Sequence, residues 1–273
     1  MTQDCYYIFR SSELYLNPDN TLPTGLPEAF SGMVVDSLSL ELLGRPSRAI
    51  LLRDEAPRAE VVQRSVSGPG SSPVSTGSWV RLRSITASED PTLRRYAAPA
   101  SRALGLINWH DATRFCPRCG APLEDHPVEL ARLCPSCARI LFPRISPAII
   151  VLVRKEGKIL LARHAQRNQD VYSCLAGFLE HGETLEECVA REVREETGIA
   201  VKNVSYVGSQ SWPFPDQHMV AFYADWASGE IAVDKNEIAE AHWFDPENLP
   251  NTPMPGTVAW RLIHGVLAPS SKN

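Results

Sequence analysis

The chain has no long apolar run. Even an uninterrupted stretch such as Ala148 to Val153 is far short of the ~20 residues that cover a bilayer, so no membrane span is expected. A basic start followed by an apolar segment is also missing, with Asp4 among the first residues, and a cytoplasmic setting is the expectation. Positive charge is not in excess either: 27 basic residues face 32 acidic ones, a formal net charge of -5. That balance removes any whole-surface attraction to nucleic acid or anionic lipid and leaves only local contacts. No internal repeat is visible, and 44% apolar with 22% charged residues in a 273-residue chain is the composition of globular protein, with length for two compact domains.

What is present falls into three blocks, 1–110, 111–142 and 143–273. In the first, short apolar runs (Tyr6 to Phe9, Met33 to Val35, Ala49 to Leu52) alternate with turn residues such as Pro18-Asp19-Asn20 and Pro23-Thr24-Gly25, which reads as a β-rich domain. Ser65 to Ser78 is dominated by Ser, Gly and Pro and reads as a loop or linker. From Asp90-Pro91 onward Leu93, Tyr96, Ala97, Ala100, Ala103, Leu104 and Ile107 recur at helical spacing, predicting a trailing helix that Pro99 kinks or divides. The last block reads as α+β. It begins with a buried hairpin across Glu156-Gly157 and a turn at Gly177, followed by a charged helix. Strands near Val204 to Val207 and Met219 to Trp226 come next, and Thr257 to Leu267 closes it as a helix.

The middle block holds four of the seven cysteines, as Cys116-Pro-Arg-Cys119 and Cys134-Pro-Ser-Cys137. Two C-x-x-C knuckles brought together make a closed tetrahedral shell for Zn²⁺, one ion per chain, with no position left for substrate. The expected role is structural, and folding of so small a block is expected to be coupled to the metal. The alternative is a pair of redox dithiols.

The most informative stretch runs from Gly177 to Ile199. Thr184 with Glu187 three residues on is a capping box, and Gly198 is placed as a helix stop. On the helix between them Leu185, Val189, Glu192 and Glu196 share a stripe, Cys188 and Val193 flank it, and Glu195 lies at its edge; Glu187, Ala190, Arg191 and Arg194 take the opposite side. Glu192 and Glu196 therefore continue the inward face. Inward carboxylates at such spacing need compensation, and clustered hard oxygens without sulfur suit Mg²⁺ or Mn²⁺. Arg191 is one turn from Glu195 and suited to pair with it. The alternative is a surface helix laced with ion pairs.

These residues resemble the Nudix box, G-x5-E-x7-R-E-U-x-E-E-x-G-U with U aliphatic, at every defined position: Gly177, Glu183, Arg191, Glu192, Val193, Glu195, Glu196, Gly198 and Ile199. The resemblance implies an α/β/α sandwich with mixed sheets and metal-dependent cleavage of a nucleoside diphosphate linked to another group. Downstream, Ser209-Gln210-Ser211-Trp212-Pro213-Phe214-Pro215-Asp216-Gln217 is similar to the S-Q-P-W-P-F-P-x-S array of NADH pyrophosphatases, in which a four-cysteine module also precedes the Nudix domain. Ser211 and Gln217 depart from that array. Taken by itself the segment reads as stiff and extended, presenting flat faces for a base or nicotinamide ring; the plainer alternative is a proline-rich turn with Trp212 and Phe214 in the core.

Carried over onto matching positions, the resemblance implies metal binding by Glu192, Glu195, Glu196 and Glu237, with Glu196 or Glu195 as the catalytic base. It implies substrate contacts at Phe142, Ala176, Phe178, Ala259 and the array Gln210, Ser211, Trp212, Pro213, Phe214, Pro215, Asp216 and Gln217, with Phe142 reaching the nicotinamide across a homodimer. The implied reactions are cleavage of NADH or NAD⁺ to AMP and NMNH or NMN, and removal of the NAD cap from RNA 5′ ends. Arg114, Arg118, Arg132, Arg139 and Arg144 cluster around the cysteines and are candidate RNA-phosphate contacts. The rival readings are a Nudix hydrolase preferring ADP-ribose or dinucleoside polyphosphates, and a non-catalytic zinc-ribbon protein that binds nucleic acid.

Overall fold

A computed structural model describes residues 4–56, 77–166 and 170–267. The Ser-, Gly- and Pro-rich segment read as a linker lies, except for Gly77 and Ser78, outside them. The chain divides into two compact units, one running to Arg144 and including Pro213–Asp216, the other formed by Ile145–Trp212 and the chain from Gln217 onward.

In the first unit, β1 (Cys5–Arg10), β2 (Glu13–Leu16), β3 (Val34–Leu42), β4 (Arg45–Leu52) and β5 (Ser78–Arg81) form a sheet in the order β3-β4-β1-β2-β5, with a 3-10 turn at Glu28–Met33. The apolar runs read from the sequence supply β1, β3 and β4. Tyr7, Phe9, Leu14 and Leu16 point to one face and pack with Leu82, Ile85, Ala100, Leu104 and Ile107 from α1 (Leu82–Ala87) and α3 (Ala97–Ala112). Each such fully buried aliphatic or aromatic side chain stabilises the fold by about 1.5–3 kcal/mol. Pro99 does not divide the helix. The break falls earlier, between α2 (Pro91–Arg94) and α3, and Pro99 sits in the first turn of α3, where its missing N–H leaves no helical bond unmade. The cysteine block adds a small sheet of β6 (Glu124–Asp125), β7 (Arg132–Leu133) and β8 (Ile140–Leu141).

The second unit is built on β9 (Ser146–Lys155), β10 (Lys158–His164), β11 (Leu175–Phe178), α4 (Leu185–Thr197), β12 (Ala200–Trp212), β13 (Gln217–Ser228), β14 (Ile238–Phe244) and α5 (Val258–Ile263). Its sheet runs β12-β13-β9-β10-β14, with β11 also paired to β9. It is mixed: β13 and β9 are parallel, the other pairs antiparallel. The apolar run of β9 is explained by burial on both faces. Ala148, Ile150 and Leu152 join the core under α5, and Ile149, Val151 and Val153 join the core under α4. Helices on both faces complete the α/β/α sandwich. The hairpin predicted at Glu156-Gly157 is present, with φ of 50° and 81° at the two residues in a two-residue connection between Lys155 and Lys158, the backbone that such a hairpin demands.

The structure departs from two expectations. Gly177 is not in a turn: it lies within β11, opposite Ile149 of β9, for a reason that belongs to the site below. The Trp-Pro-Phe-Pro segment is not extended either. Trp212 pairs with Gln217 at the end of the β12/β13 hairpin, and Pro213–Asp216 form the tight connection, with a cis bond between Phe214 and Pro215. Proline fixes φ and supplies no N–H, which suits a turn once the flanking strands pair.

Candidate functional site

The four cysteines are brought together, their sulfurs all within 4.8 Å of one another and none bridged. Cys116 and Cys137 sulfurs are 3.7 Å apart, and Cys119 and Cys134 3.5 Å. A tetrahedron of about 2.3 Å Zn–S bonds has sulfurs roughly 3.8 Å apart, so the set fits Zn²⁺ and is too open for disulfides. Burial works against ionisation of Cys116, yet backbone N–H groups of Arg118 and Cys119 and the neighbouring thiols bring it down to about 6. Gly120 takes a φ of 73° just after the first knuckle, a conformation that glycine adopts freely.

Beside the knuckles, buried His110 of α3 faces Asp36 through Nδ1 at 2.5 Å and Asp125 through Nε2 at 2.8 Å. Arg132 donates to Asp125 at 2.5 Å and to the Leu123 carbonyl at 2.6 Å. Burial pushes Asp125 up, but His110 and Arg132 outweigh it and hold the carboxyl below its ordinary value. Arg132 is therefore structural and is removed from the candidate RNA contacts. Arg114, Arg118, Arg139 and Arg144 are exposed, and Arg114 is paired with Asp111.

The acidic site is organised by α4. Thr184 accepts from the Glu187 N–H while Glu187 accepts from the Thr184 N–H, closing the predicted capping box, and Gly198 ends the helix at φ 73°. Cys188, Val189, Val193 and Glu196 are buried, as the inward stripe predicts, and the Glu192 side chain is only 12% exposed against 57% for Glu195. Arg191 departs from the predicted solvent side. Its long side chain bends back, donating Nε to Glu183 at 2.6 Å and Nη2 to the other oxygen of Glu183 at 3.0 Å. Nη1 reaches Glu192 at 2.8 Å and Glu195 at 2.9 Å, and Nη2 also donates to the Phe178 carbonyl at 2.9 Å. This fork ties the start of the box to its middle. It holds Glu183 down at about 2.

Burial has the opposite effect on Glu192, raising its pKa; Arg191 offsets part of this, and the charges of Glu195 and Glu237 add to the rise. Glu237 reaches this neighbourhood on the loop before β14. That loop is fastened to the end of α4 by the Ala232 N–H on the Thr197 carbonyl at 2.8 Å and the Asp234 N–H on the Glu196 carbonyl at 3.2 Å, and to β10's end by the Ala165 N–H on the Glu237 carbonyl at 2.7 Å.

Gly177 owes its place in β11 to Glu192. A Cβ at that position would fall inside the Glu192 carboxylate, closer than 3.0 Å to all three of its atoms. The glycine is a cradle for a carboxylate, in a strand whose neighbours Ala176 and Phe178 are exposed, Phe178 by 51%. The glutamates are not drawn to a common point as the cysteine sulfurs are; the Arg191 guanidinium joins Glu183, Glu192 and Glu195.

The remaining expected contacts are dispersed between the units. In the second, Trp212 is partly buried against the core that holds Ala259, and Ser211 is exposed. Gln210 is engaged internally, donating to the Gly256 carbonyl at 3.1 Å and accepting from the Val258 N–H at 2.7 Å. Gln217 is half-buried there; in the turn 213–216, which belongs to the first unit, Pro213 is buried, Pro215 exposed and Asp216 between these extremes. In the first unit, Phe214 packs against the core with the Arg83 guanidinium 4.7 Å above its ring, and Phe142 is 57% exposed.

Residues 143–262 match the NUDIX domain and residues 111–142 the NADH pyrophosphatase zinc ribbon domain. The chain belongs to the Nudix hydrolase superfamily, in its subfamily of NADH pyrophosphatases and NAD-capped RNA hydrolases. It is 48% identical over 180 residues to the NAD-capped RNA hydrolase NudC of Klebsiella pneumoniae (strain 342), covering 66% of this chain and 69% of that one. With NudC of Salmonella paratyphi C (strain RKS4594) the identity is 49% over 169 residues, 62% of this chain and 66% of the relative, so the match spans just under two thirds of that protein's length. Among solved structures, a NUDIX hydrolase from Nitrosomonas europaea aligns over 56% of this chain and 87% of its own, with 24% identity and a TM-score of 0.47. No helix among the described residues is long and apolar enough to cross a membrane.

Proposed function

We propose that this chain hydrolyses the diphosphate bond of NADH and NAD⁺, releasing AMP with NMNH or NMN, and makes the same cut in the NAD cap of RNA 5′ ends. The observation that carries the reading is the inward acidic face of α4, with Glu196 at 6% exposure and Glu192 seated in the space that Gly177 leaves open. Support for the substrate comes from the NADH pyrophosphatase zinc ribbon and from the activity named for the NudC relatives.

The donor set is hard oxygen, partly buried and mutually repelling, and so fits a divalent cation. Glu192, Glu196 and Glu237 would hold Mg²⁺ or Mn²⁺, with Glu195 at the rim; the ion supplies charge neutralisation at the phosphate oxygens and acidifies an attacking water. Arg191 fixes the side chains of Glu183, Glu192 and Glu195 relative to one another. Glu196 takes the proton from water, since Glu195 is largely solvated and tied to the guanidinium. Exposed Phe178 offers a face for a ring. Arg118, Arg139 and Arg144 meet the phosphates of an RNA body, a homodimer completes the ring site through Phe142, and the setting is the thiol-reducing cytoplasm, for which seven unbridged cysteines are support.

The test is AMP release from NAD⁺, NADH and ADP-ribose by the purified chain with Mn²⁺ and with chelator, alongside Glu196→Gln. AMP appears only with metal, and the variant loses roughly 10²–10⁴-fold in turnover at an unchanged melting temperature. Equal turnover in the variant removes the base assignment, no metal-dependent release favours the non-catalytic reading, and a preference for ADP-ribose replaces the substrate.

A further inference from the structure

The ribbon has little of its own to close on. Its buried cluster is Cys116, Leu123 and Cys134, with Ala121, Cys137 and Leu141 against it; the cysteines are taken by the metal, so apolar burial alone does not hold it shut. Two attachments run from it to the rest of the first unit. Leu130, between the knuckles, packs against the core to which β3 contributes Leu38 and Leu42 and α3 contributes Ala103, Leu104 and Ile107. The second attachment is polar. Arg132 Nη1 lies 2.5 Å from both Asp125 and the Nε2 of His110, Asp125 is 2.8 Å from that nitrogen, and the opposite ring nitrogen is 2.5 Å from Asp36 of β3. Asp36 stands at a register shift between β3 and β4, the kind of bulge that re-aims a side chain. Its other oxygen accepts the Ser37 N–H at 2.8 Å. The side chains of His110, Arg132 and Asp36 are 10%, 11% and 17% exposed, and at such burial a lost partner leaves a polar group uncompensated. β3 is the outer strand of its sheet, with β4 its one partner strand among the described residues, so it depends on such ties more than an inner strand does.

We propose that His110 links the zinc site to β3. Metal closes the ribbon, the closed ribbon presents Asp125 and Arg132 to His110, and His110 in turn holds Asp36 and the outer strand. Such a linkage is reciprocal. His110, which is not among the four ligands, therefore helps to set how firmly zinc is kept, and zinc sets how firmly β3 is held. The link lies within the first unit and is independent of what the second unit cleaves.

The test is the zinc affinity of the full chain, by competition with a chromophoric chelator, together with amide hydrogen exchange in β3 with zinc bound and withdrawn. It is made on the unsubstituted chain and on His110→Ala, Asp36→Asn and Ile8→Val. In the unsubstituted chain, zinc withdrawal raises exchange in β3 by about tenfold, alongside that of the ribbon. His110→Ala weakens zinc binding by about tenfold, as the loss of hydrogen bonds to charged groups implies, and exchange in β3 no longer follows the metal. Asp36→Asn keeps the shape and removes the charge beside Nδ1; it weakens zinc binding by about threefold or more and decides the matter if His110→Ala does not fold. Ile8→Val is the control: it trims the separate core that holds Ile8 and leaves zinc affinity unchanged, as sites without shared partners act independently. Zinc affinity within about twofold of the unsubstituted value in Asp36→Asn and in folded His110→Ala overturns the link. Exchange in β3 that ignores zinc in the unsubstituted chain overturns it as well. An equal weakening in Ile8→Val also overturns it, since general loosening then accounts for the other variants.

Discussion

Gly177→Ala should give a stable protein with a damaged site. The backbone at 177 is ordinary strand, paired through β9, so alanine fits its φ and ψ and removes freedom from the unfolded chain, a gain of about 0.4–1 kcal/mol. The new Cβ meets the Glu192 carboxylate at less than 3.0 Å from each of three atoms, against 3.4 Å for ordinary contact. The carboxylate is the far end of a flexible side chain, so it yields and the strand does not. It must withdraw by about 1 Å or more, and a displacement of that size at a reacting centre costs on the order of 10²-fold in rate. Withdrawal also strains the 2.8 Å bond from Arg191 to Glu192. The assay is kcat/KM for NAD⁺ with Mn²⁺, together with the thermal midpoint. The expected result is a loss of about a hundredfold with the midpoint within a few degrees of the unsubstituted chain. Activity within about threefold would show that Glu192 does not work from the position seen here, and a collapsed midpoint would show that the strand, not the carboxylate, gives way.

Two further perturbations follow from the electrostatics and the knuckles. Glu183 has its carboxyl held at about 2 against 4.5 in the unfolded chain by Arg191, so its pairing contributes fully above about pH 4.5 and is lost as pH falls toward 2; urea midpoints of Glu183→Gln should lie below those of the parent at neutral pH and converge with them near pH 2, and a gap independent of pH would refute the assignment. Cys134→Ser, or removal of zinc, should release the contacts that Asp125 and Arg132 make with His110 because metal binding and folding of the ribbon are one event; hydrogen exchange in 111–142 should rise by at least about tenfold and be restored by Zn²⁺ in the unsubstituted chain, whereas unchanged exchange after verified zinc removal would refute it.

The sequence is most legible where a local rule decides. The spacing of Cys116, Cys119, Cys134 and Cys137, the Thr184/Glu187 box, the Gly198 stop and the Glu156-Gly157 turn each depend on a few neighbouring residues, and the structure shows all of them. The periodicity of α4 likewise placed Glu196 inside, because helix azimuth follows from 3.6 residues per turn. It misplaced Arg191, since azimuth describes the Cβ and a guanidinium ends several bonds away. Gly177 looked like a turn because glycine marks turns; its true reason is a carboxylate from an element fifteen residues on, which no local window contains. The chemistry of Phe214 and Arg132 suggests a stacking ring and a phosphate contact, whereas in the fold Phe214 packs against a core and Arg132 joins a buried ion network. Gln210 carries no local signal at all, since its partners Gly256 and Val258 are brought near only by the fold.

The double burial of β9 has a consequence for how this strand finds its place. Where one side of a strand is wet, sliding by a single residue exposes every apolar group, and that penalty enforces alignment. Here a one-residue slide would merely exchange the groups beneath α4 with those beneath α5, so greasiness alone cannot choose between the alternatives. The choice falls to differences in side-chain size and to the polar end of the strand, where the tight Glu156-Gly157 reversal joins Lys155 to Lys158 and Arg154 meets Asp225 of the parallel neighbour at 2.9 Å. The central strand is aligned from its rim.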